Sequence, residues 1–271
     1  MPEGHVIHRL ARATMDHFGD KAVQVSSPQG RFDGAAASLD GTVLQGASAC
    51  GKHLFIDFAR PHPEHIVHIH LGLIGKFFFA PLAPPRGAVR LRITDGVTAA
   101  DLHGPQMCRL LTPQEQQAQI AKLGPDPIRP DADPEIAWTR IQRSGRSIAS
   151  LLMDQRITAG VGNIYRAEVL FRHRVNPATP GNTLRRATWE AIWADLVLLM
   201  RDGVTVGRID TVREEHGPEA QGRPQRVDRH GGEVYVYRRA AQPCLVCASP
   251  VKVATLEGRN LYWCSRCQRR R

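Results

Sequence analysis

The sequence has no long apolar run and few aromatic residues. Nowhere in its 271 residues does an uninterrupted apolar stretch approach the roughly eighteen residues that a membrane-spanning helix needs. Aromatic residues make up only 6% of the chain, which leaves no evident platform on which the bases of single-stranded RNA would stack. The sequence therefore predicts a protein without a membrane partner, and it disfavours a zinc-ribbon factor that acts on RNA.

A targeting signal is also missing. The chain begins Met-Pro-Glu-Gly-His, and Glu3 followed by the polar His5, His8 and Arg9 is neither an apolar leader nor an acid-free amphipathic presequence. We therefore expect a cytoplasmic protein whose amino end belongs to the mature fold.

The cysteines do not form a disulfide framework. Cys50 and Cys108 stand alone, and the other four follow the pattern Cys244-x2-Cys247-x16-Cys264-x2-Cys267. Two CxxC knuckles supply four thiolates to one tetrahedral ion, so the spacing predicts one structural Zn²⁺ with no open coordination position. Thioredoxin-like redox pairs are the disfavoured alternative, because no βαβ context surrounds these cysteines. No organic cofactor is expected.

The chain is strongly basic. It has 36 Lys and Arg against 26 Asp and Glu, a net charge of +10 and a pI of about 9.8. Such a balance favours a polyanionic partner, and nucleic acid is the first candidate. An anionic membrane surface is the rival, but no basic amphipathic helix with a Trp- or Phe-rich face is present. A basic protein without any polyanionic partner remains the alternative.

The pattern changes along the chain. Residues 1–121 contain a helix at about Gly4–Phe18 and then many short strands, which predicts an N-terminal helix on a two-layer β-sandwich or flattened barrel. Residues 122–134 hold four prolines and are predicted to be a linker. Residues 135–232 are predicted to be helical, and residues 233–271 to form a zinc-bound β-hairpin. The fold class is α+β.

Three helices are predicted in the second half. They span Ile148–Asp154 after a Ser147 cap, Ile164–Phe171, and Leu184–Met200. The Gly- and Arg-rich segment 203–232 follows and is predicted to be a mobile loop. Between the CxxC knuckles, two strands joined near Glu257-Gly258 are expected.

The segment Thr158–Tyr165, TAGVGNIY, resembles a dinucleotide fingerprint only superficially. The third glycine of that fingerprint is replaced by Tyr165, and the flanking segments are helical. A helix-turn-helix corner is favoured, at which exposed N–H groups and the side chain of Asn163 bind a phosphate. A glycine corner that only packs two helices is the alternative.

Other candidate residues are ambiguous when taken singly. His68 and His70, with His65 nearby, lack an acidic or cysteine ligand to complete a metal site, so packing or phosphate contact is favoured. By residue type alone, Lys52 beside Gly51 and Arg259 beside the hairpin turn would be solvated side chains.

Taken together, these motifs resemble the formamidopyrimidine-DNA glycosylase and endonuclease VIII family of base-excision repair enzymes. The resemblance covers essentially the whole chain. It runs through PEG at the amino end, GKHLF, HLGLIG, LGPDP at the linker, GVGNIYRAEVLF, VYVYRR before PC, and RNLYWC in the terminal hairpin. The resemblance implies that residues 135–232 form a helix-two-turn-helix DNA-binding domain, which contains GVGNIYRAEVLF and the mobile loop. The glycine that follows Pro2-Glu3 is closer to endonuclease VIII, which favours oxidised pyrimidines as substrates.

The resemblance implies a bifunctional DNA glycosylase and abasic-site lyase with the following catalytic groups. Pro2 would be the nucleophile that forms a Schiff base, and Glu3 the acid/base. Lys52 would be a second catalytic group and phosphate ligand. Arg259 would grip the lesion phosphates from the zinc hairpin, and Glu168 matches a family carboxylate that supports the active site.

The resemblance also implies a double-stranded DNA partner that contains damaged bases or abasic sites, bound by a monomer. His70, Asn163 and Tyr237 match phosphate-contacting positions, and Lys122 is a weaker match. Leu73 matches the side chain that fills the gap left by an everted base.

Two departures separate the chain from both branches of the family. Endonuclease VIII fills the gap with a Gln-Leu-Tyr triplet, but Gly72-Leu73-Ile74 stands here. The Arg and Phe that the 8-oxoguanine enzymes insert opposite the orphan base fall near His103 and Pro105. The sequence therefore indicates a divergent endonuclease VIII-like branch.

The implied chemistry has a physical reason. A terminal Pro2 is a secondary amine with an ordinary pKa near 8, so a useful fraction is neutral at physiological pH. Its adduct with C1′ is a cationic iminium, which drives β- and then δ-elimination. This requires that Met1 be removed. A non-catalytic zinc-hairpin protein that binds damaged DNA is the alternative, and it has no need for an amine and an acid side by side.

Overall fold

The computed structural model of the chain describes residues 2–60, 62–228 and 232–269. The polypeptide forms two compact units, Met1–Lys122 and Leu123–Arg271. Met1, whose removal the amine chemistry requires, lies outside the described residues. No helix in the described part of the chain has the length and apolarity needed to cross a membrane.

The first unit begins with α1, Gly4–Phe18, which has the bounds that the periodicity predicts. Two antiparallel sheets follow, and two short helices, α2 and α3, were not predicted. The helices are Asp33–Leu39 (α2) and Pro113–Ile120 (α3). The strands are Lys21–Ala22 (β1), Gln24–Ser26 (β2), Val43–Cys50 (β3), His53–Ala59 (β4), Ile66–His70 (β5), Lys76–Pro81 (β6), Val89–Thr94 (β7), Thr98–His103 (β8) and Met107–Leu111 (β9).

The two sheets form the predicted sandwich. One has the strand order β1-β3-β4-β5-β9 and the other β2-β7-β8-β6. Apolar side chains of both sheets and of α1 share one core, to which Leu54, Ile56 and Leu102 contribute fully buried side chains. Because α1 packs on β3 and β4, the amino end of the chain is fixed to the larger sheet.

The second unit contains the predicted helices and hairpin. Its helices are Pro134–Gln142 (α4), Ile148–Met153 (α5), Asn163–Arg172 (α6) and Arg186–Val206 (α7), and its strands are Lys252–Leu256 (β10) and Arg259–Trp263 (β11). Ser147 caps α5 as predicted, because its hydroxyl accepts a hydrogen bond from the Ser150 N–H at 3.2 Å.

The bounds of α7 differ from the prediction. The helix was expected to end at Met200, but it continues through Gly203 to Val206. Gly203 and Val204 are buried, so tertiary packing compensates for the low helix propensity of glycine. The helix ends where Gly207 adopts a left-handed conformation with φ 82°.

The proline-rich segment 122–134 is packed rather than extended into solvent. Residues 124–127 are buried. The Gly124 N–H donates to the Gln155 carbonyl at 2.9 Å, and the Pro125 carbonyl accepts from Ala159 at 3.0 Å. Only one short 3₁₀ turn, Glu214–His216, is found among the described residues of segment 207–233. Residues 229–231 of the predicted mobile loop lie outside the described part of the chain.

Candidate active site and nucleic-acid interface

The first turn of α1 fixes the amino end. Glu3 occupies the N-cap position, and its carbonyl accepts a hydrogen bond from Val6 at 3.0 Å. The Glu3 side chain is fully buried, whereas Pro2 is half-buried. Ile7 and Phe18 anchor the helix in the sandwich core. A buried carboxylate therefore lies next to a partly accessible Pro2.

Lys52 lies in the tight turn between β3 and β4. The turn requires a positive φ of 59° at Gly51, a conformation that glycine adopts without strain. Lys52 is half-buried, and its charge helps to lower the pKa of both His53 and His70. Lys52 and His70 therefore lie close together in the fold, although they are 18 positions apart in the sequence.

Three histidines on β4 and β5 form a connected cluster beside this lysine. His53 pairs with His70 in the strand register, and the His53 Nδ1 lies 2.8 Å from the His68 Nε2. Burial lowers the pKa of His53 to about 4 and that of His68 to about 3, and the neighbouring His53 adds to the shift of His68. Both rings are neutral at pH 7, so one donates and the other accepts the shared hydrogen bond.

This cluster predicts an acid-sensitive fold. An unfolded histidine takes up a proton near pH 6.5, but His53 and His68 resist protonation in the folded chain down to about pH 4 and 3. Between those limits the unfolded state binds more protons, so the free energy of unfolding falls as the pH falls. The slope is about 1.4 kcal/mol per pH unit for each such histidine.

Urea unfolding between pH 7 and 4 measures that slope. We expect His68→Gln to reduce the slope by about one proton, and His62→Gln, which removes an exposed histidine, to leave it unchanged. An unaltered slope in the His68 variant would show that burial does not lower the pKa of His68 in the folded chain.

Leu73 lies on an exposed turn. Its side chain is 65% exposed, and the neighbouring Ile74 is 81% exposed. The turn is closed by the Gly75 N–H, which donates to the Leu71 carbonyl at 3.1 Å. Two adjacent aliphatic side chains therefore face solvent, and Ile74 is a candidate that sequence reasoning did not select. Lys122 is exposed at the end of the first unit.

In the second unit, Asn163 is the first residue of α6. Its Nδ2 donates to the carbonyl of Asn260 in β11 at 2.9 Å, and its Oδ1 accepts from the Arg166 guanidinium. Arg166 also donates to the Asn260 carbonyl at 3.3 Å. Because an amide nitrogen carries two hydrogens, Asn163 can hold the hairpin with one and a phosphate with the other.

Arg166 is a further site residue that sequence reasoning missed. Its side chain is buried, and it fixes the orientation of the Asn163 amide. Its position three residues after Asn163 could have identified it from the sequence, because residues three apart on a helix lie on the same face.

Arg259 begins β11, at the edge of a basic groove. The hairpin turn places Glu257 at φ 48° and Gly258 at φ 73°, as a type I′ turn requires. The groove has a volume of about 330 Å³, and its arginines are Arg146, Arg156, Arg166 and Arg259. Four guanidinium groups face only two carboxylates there, those of Asp154 and Glu257. The surplus positive charge suits a phosphodiester backbone.

Glu168 is fully buried and binds the segment that carries Tyr237. Its carboxylate accepts from the backbone N–H groups of Tyr235 at 2.6 Å, Val236 at 2.9 Å and Tyr237 at 2.8 Å. The Thr211 hydroxyl donates a fourth bond at 2.6 Å. Glu168 therefore holds the backbone around Tyr237 in place.

We expect Glu168→Gln to lower the free energy of unfolding by about 3 kcal/mol. Whichever way the amide is turned, its NH₂ group faces at least one backbone N–H, which then loses its acceptor. Urea denaturation measures the loss. Glu190→Gln is the matched control, because Glu190 pairs with Arg186 at the exposed surface and should contribute less than about 1 kcal/mol. Equal effects of the two variants would contradict the assignment.

The four cysteines of the hairpin module converge. Their sulfur atoms all lie within 4.8 Å of one another, with Cys247 Sγ 3.4 Å from Cys264 Sγ and Cys244 Sγ 3.9 Å from Cys267 Sγ. Tetrahedral coordination at metal–sulfur distances of about 2.3 Å separates the sulfurs by about 3.8 Å, so the arrangement fits one metal ion. It is the one such ligand cluster within the described residues. Among the described residues, His65, His68 and His70 are not part of such a cluster.

Comparisons with known proteins agree on one family. The model of the formamidopyrimidine-DNA glycosylase N-terminal domain matches residues 1–105, and that of the formamidopyrimidine-DNA glycosylase H2TH domain matches residues 123–214. Endonuclease 8 1 of Mycobacterium tuberculosis is 47% identical over 275 residues, covering 99% of this chain and 100% of that protein. A formamidopyrimidine-DNA glycosylase of Methylococcus capsulatus is 34% identical over 242 residues, covering 86% and 84% of the two chains.

Solved structures share the fold. The Lactococcus lactis Fpg in complex with abasic-site DNA superimposes with a TM-score of 0.79 at 20% identity, covering 99% of this chain and all of that one. The same enzyme in complex with DNA that contains an oxidised pyrimidine gives a TM-score of 0.80 at 20% identity, with the same coverage.

Proposed function

Because the chain belongs to the formamidopyrimidine-DNA glycosylase and endonuclease 8 family, we propose that it excises oxidised pyrimidines from double-stranded DNA through a Schiff base on Pro2. It is a DNA glycosylase of base-excision repair with abasic-site lyase activity. The preference for pyrimidines is supported by the glycine after Pro2-Glu3 and by the 47% identity with a protein named Endonuclease 8 1.

The observation that carries the mechanism is the buried Glu3 directly beside Pro2. With Met1 removed, the Pro2 nitrogen is a secondary amine that attacks C1′ of the damaged nucleotide, and the bond from C1′ to the base breaks. Glu3 supplies a proton to the opening sugar. The departing base takes the bonding electrons and the proton that the amine loses, and the opened sugar is left as a cationic iminium, so no external oxidant or reductant is needed.

The iminium acidifies the 2′-hydrogen. Loss of that proton expels the 3′ phosphate, and a second elimination expels the 5′ phosphate. The transfer of protons between these steps is assigned to Glu3, which α1 holds beside Pro2. Lys52, in its rigid turn, is assigned to a phosphate of the lesion and to a supporting catalytic role.

DNA recognition is assigned to groups in each unit. Arg259, Asn163 and Tyr237 in the second unit, and His70 in the first, bind phosphates. Lys122 is a weaker assignment. Leu73 takes the place of the everted base in the stack, which offsets part of the unstacking cost of a few kcal/mol.

The metal is assigned as one structural Zn²⁺ held by the four cysteines of the tetrad. The ion supplies no chemistry to the reaction, because four protein ligands leave no open position. Its effect is to fix the hairpin on which Arg259 stands. We further propose that the protein acts as a monomer in the cytoplasm.

Borohydride trapping tests this function. Duplexes that carry dihydrouracil, 8-oxoguanine or an abasic site are incubated with the full chain and reduced, and covalent adducts are counted. We expect adducts with dihydrouracil and with the abasic site, and a weaker one with 8-oxoguanine. Tight binding to all three duplexes without any adduct would favour the alternative, a non-catalytic protein that binds damaged DNA.

A further inference from the structure

A second basic cavity lies in the second unit. It has a volume of about 470 Å³, and three arginines line it: Arg174, Arg185 and Arg269. Within the part of the chain that the structure describes, no carboxylate lines this cavity and none of the three guanidinium groups forms an ion pair. Threonines at 179, 183 and 188 add hydroxyl groups to its wall.

Arg174 occupies a backbone position that normally belongs to glycine. After α6 ends, the Val175 N–H donates to the Leu170 carbonyl at 2.9 Å and the Arg174 N–H donates to the Phe171 carbonyl at 2.9 Å. These two bonds define a Schellman motif, in which Arg174 holds the left-handed position with φ 53°. Local structure favours glycine at this position, and the chain has an arginine there instead.

The second cavity is separate from the groove that contains Arg259. That groove adjoins the first turn of α6, where Asn163 and Arg166 lie, whereas Arg174 follows the last turn. Ten helical residues separate the two ends by about 15 Å. The two cavities share no lining residue.

The chemistry of the wall favours a phosphodiester backbone. Guanidinium groups and hydroxyls bind phosphate oxygens, whereas no Phe, Tyr or Trp among the described residues lines the cavity to stack on a base. We propose that this cavity is a second DNA-backbone site, which holds phosphates outside the lesion contacts without regard to sequence. The proposal rests on the proposed function in so far as it takes DNA as the partner.

The test uses undamaged duplex, so it does not depend on base excision. A variant with Arg174→Gly, Arg185→Gln and Arg269→Gln is compared with the unaltered chain by fluorescence anisotropy, on a duplex of about 30 base pairs across a range of salt concentrations. The logarithm of the binding constant falls linearly with the logarithm of the salt concentration, and each lost phosphate contact makes this negative slope shallower by about 0.9. We therefore expect the magnitude of the slope to decrease by about 1 to 3. The matched control removes the same charge at exposed arginines elsewhere, through Arg31→Gln, Arg86→Gln and Arg201→Gln.

The single variant Arg174→Gly distinguishes an effect on DNA binding from an effect on folding. We expect its thermal stability to be equal to or higher than that of the unaltered chain, because glycine relieves the left-handed backbone, while the affinity for undamaged duplex falls. Equal salt slopes for the triple variant and its control would overturn the proposal. An Arg174-dependent affinity for an acidic peptide such as polyglutamate, with DNA binding unaltered, would overturn it in favour of a protein partner. Failure of borohydride trapping would contradict the proposed lesion chemistry but not this proposal, because the test on undamaged duplex involves no base excision.

Discussion

A chain with one residue inserted between Met1 and Pro2 is expected to give no borohydride-trapped adduct with abasic-site DNA. The insertion leaves the Pro2 nitrogen as an amide, whose lone pair is delocalised and cannot attack C1′. We expect the loss to be at least about a thousandfold, because removal of a nucleophile abolishes the covalent route. Gel analysis of trapped complexes measures it directly.

Pro2→Gly tests whether the terminal amine must be secondary. Glycine retains a terminal amine, but its primary imine becomes an electron sink only after protonation, so we expect a reduced adduct rather than none. Affinity for undamaged duplex is the control for folding, and it should not change in either variant. A full adduct from the inserted chain would identify another amine as the nucleophile, and Lys52 would be the first to test.

Cys264→Ser is expected to abolish binding of the metal that we assign to the four cysteines and to release the hairpin. Cys264 is fully buried in the tetrad, and structural zinc contributes about 10 to 16 kcal/mol to the folding of small zinc modules. Without the ion, the bonds that Asn163 and Arg166 make to the Asn260 carbonyl lose their rigid acceptor. We expect affinity for abasic-site duplex to fall at least about tenfold, because Arg259 is then no longer held.

Metal analysis and hydrogen exchange check this result. The unaltered chain should contain one zinc per chain, and amides in β10 and β11 should lose protection in the variant. Cys108→Ser is the control, since burial raises the pKa of the Cys108 thiol to about 12 and it lies outside the tetrad. Unchanged metal content in the Cys264 variant would show that the tetrad is not the metal site.

Local patterns in the sequence were sufficient to predict several elements. The periodicity of Ile7, Leu10 and Ala11 predicted α1 because the face that packs on the sheet repeats every 3.6 residues. The predicted end of α7 at Met200 was wrong because Gly203 has a low helix propensity. Only the burial of Gly203 in the folded chain explains why the helix continues. The roles of Lys52 and Arg259 followed from family resemblance, since each residue type is common in solvated turns.

The chain by itself determined the features that depend on covalent neighbours. Pro2 and Glu3 are adjacent whatever the fold, and each CxxC spacing lets two thiolates of one local knuckle face the same point. Tertiary structure alone decided the rest. Glu168 binds the backbone at 235–237, more than sixty residues away, and Arg174 and Arg269 line one cavity only after the helices and the hairpin have packed. Such contacts depend on which faces are buried together, a property of the packed core that no local spacing encodes.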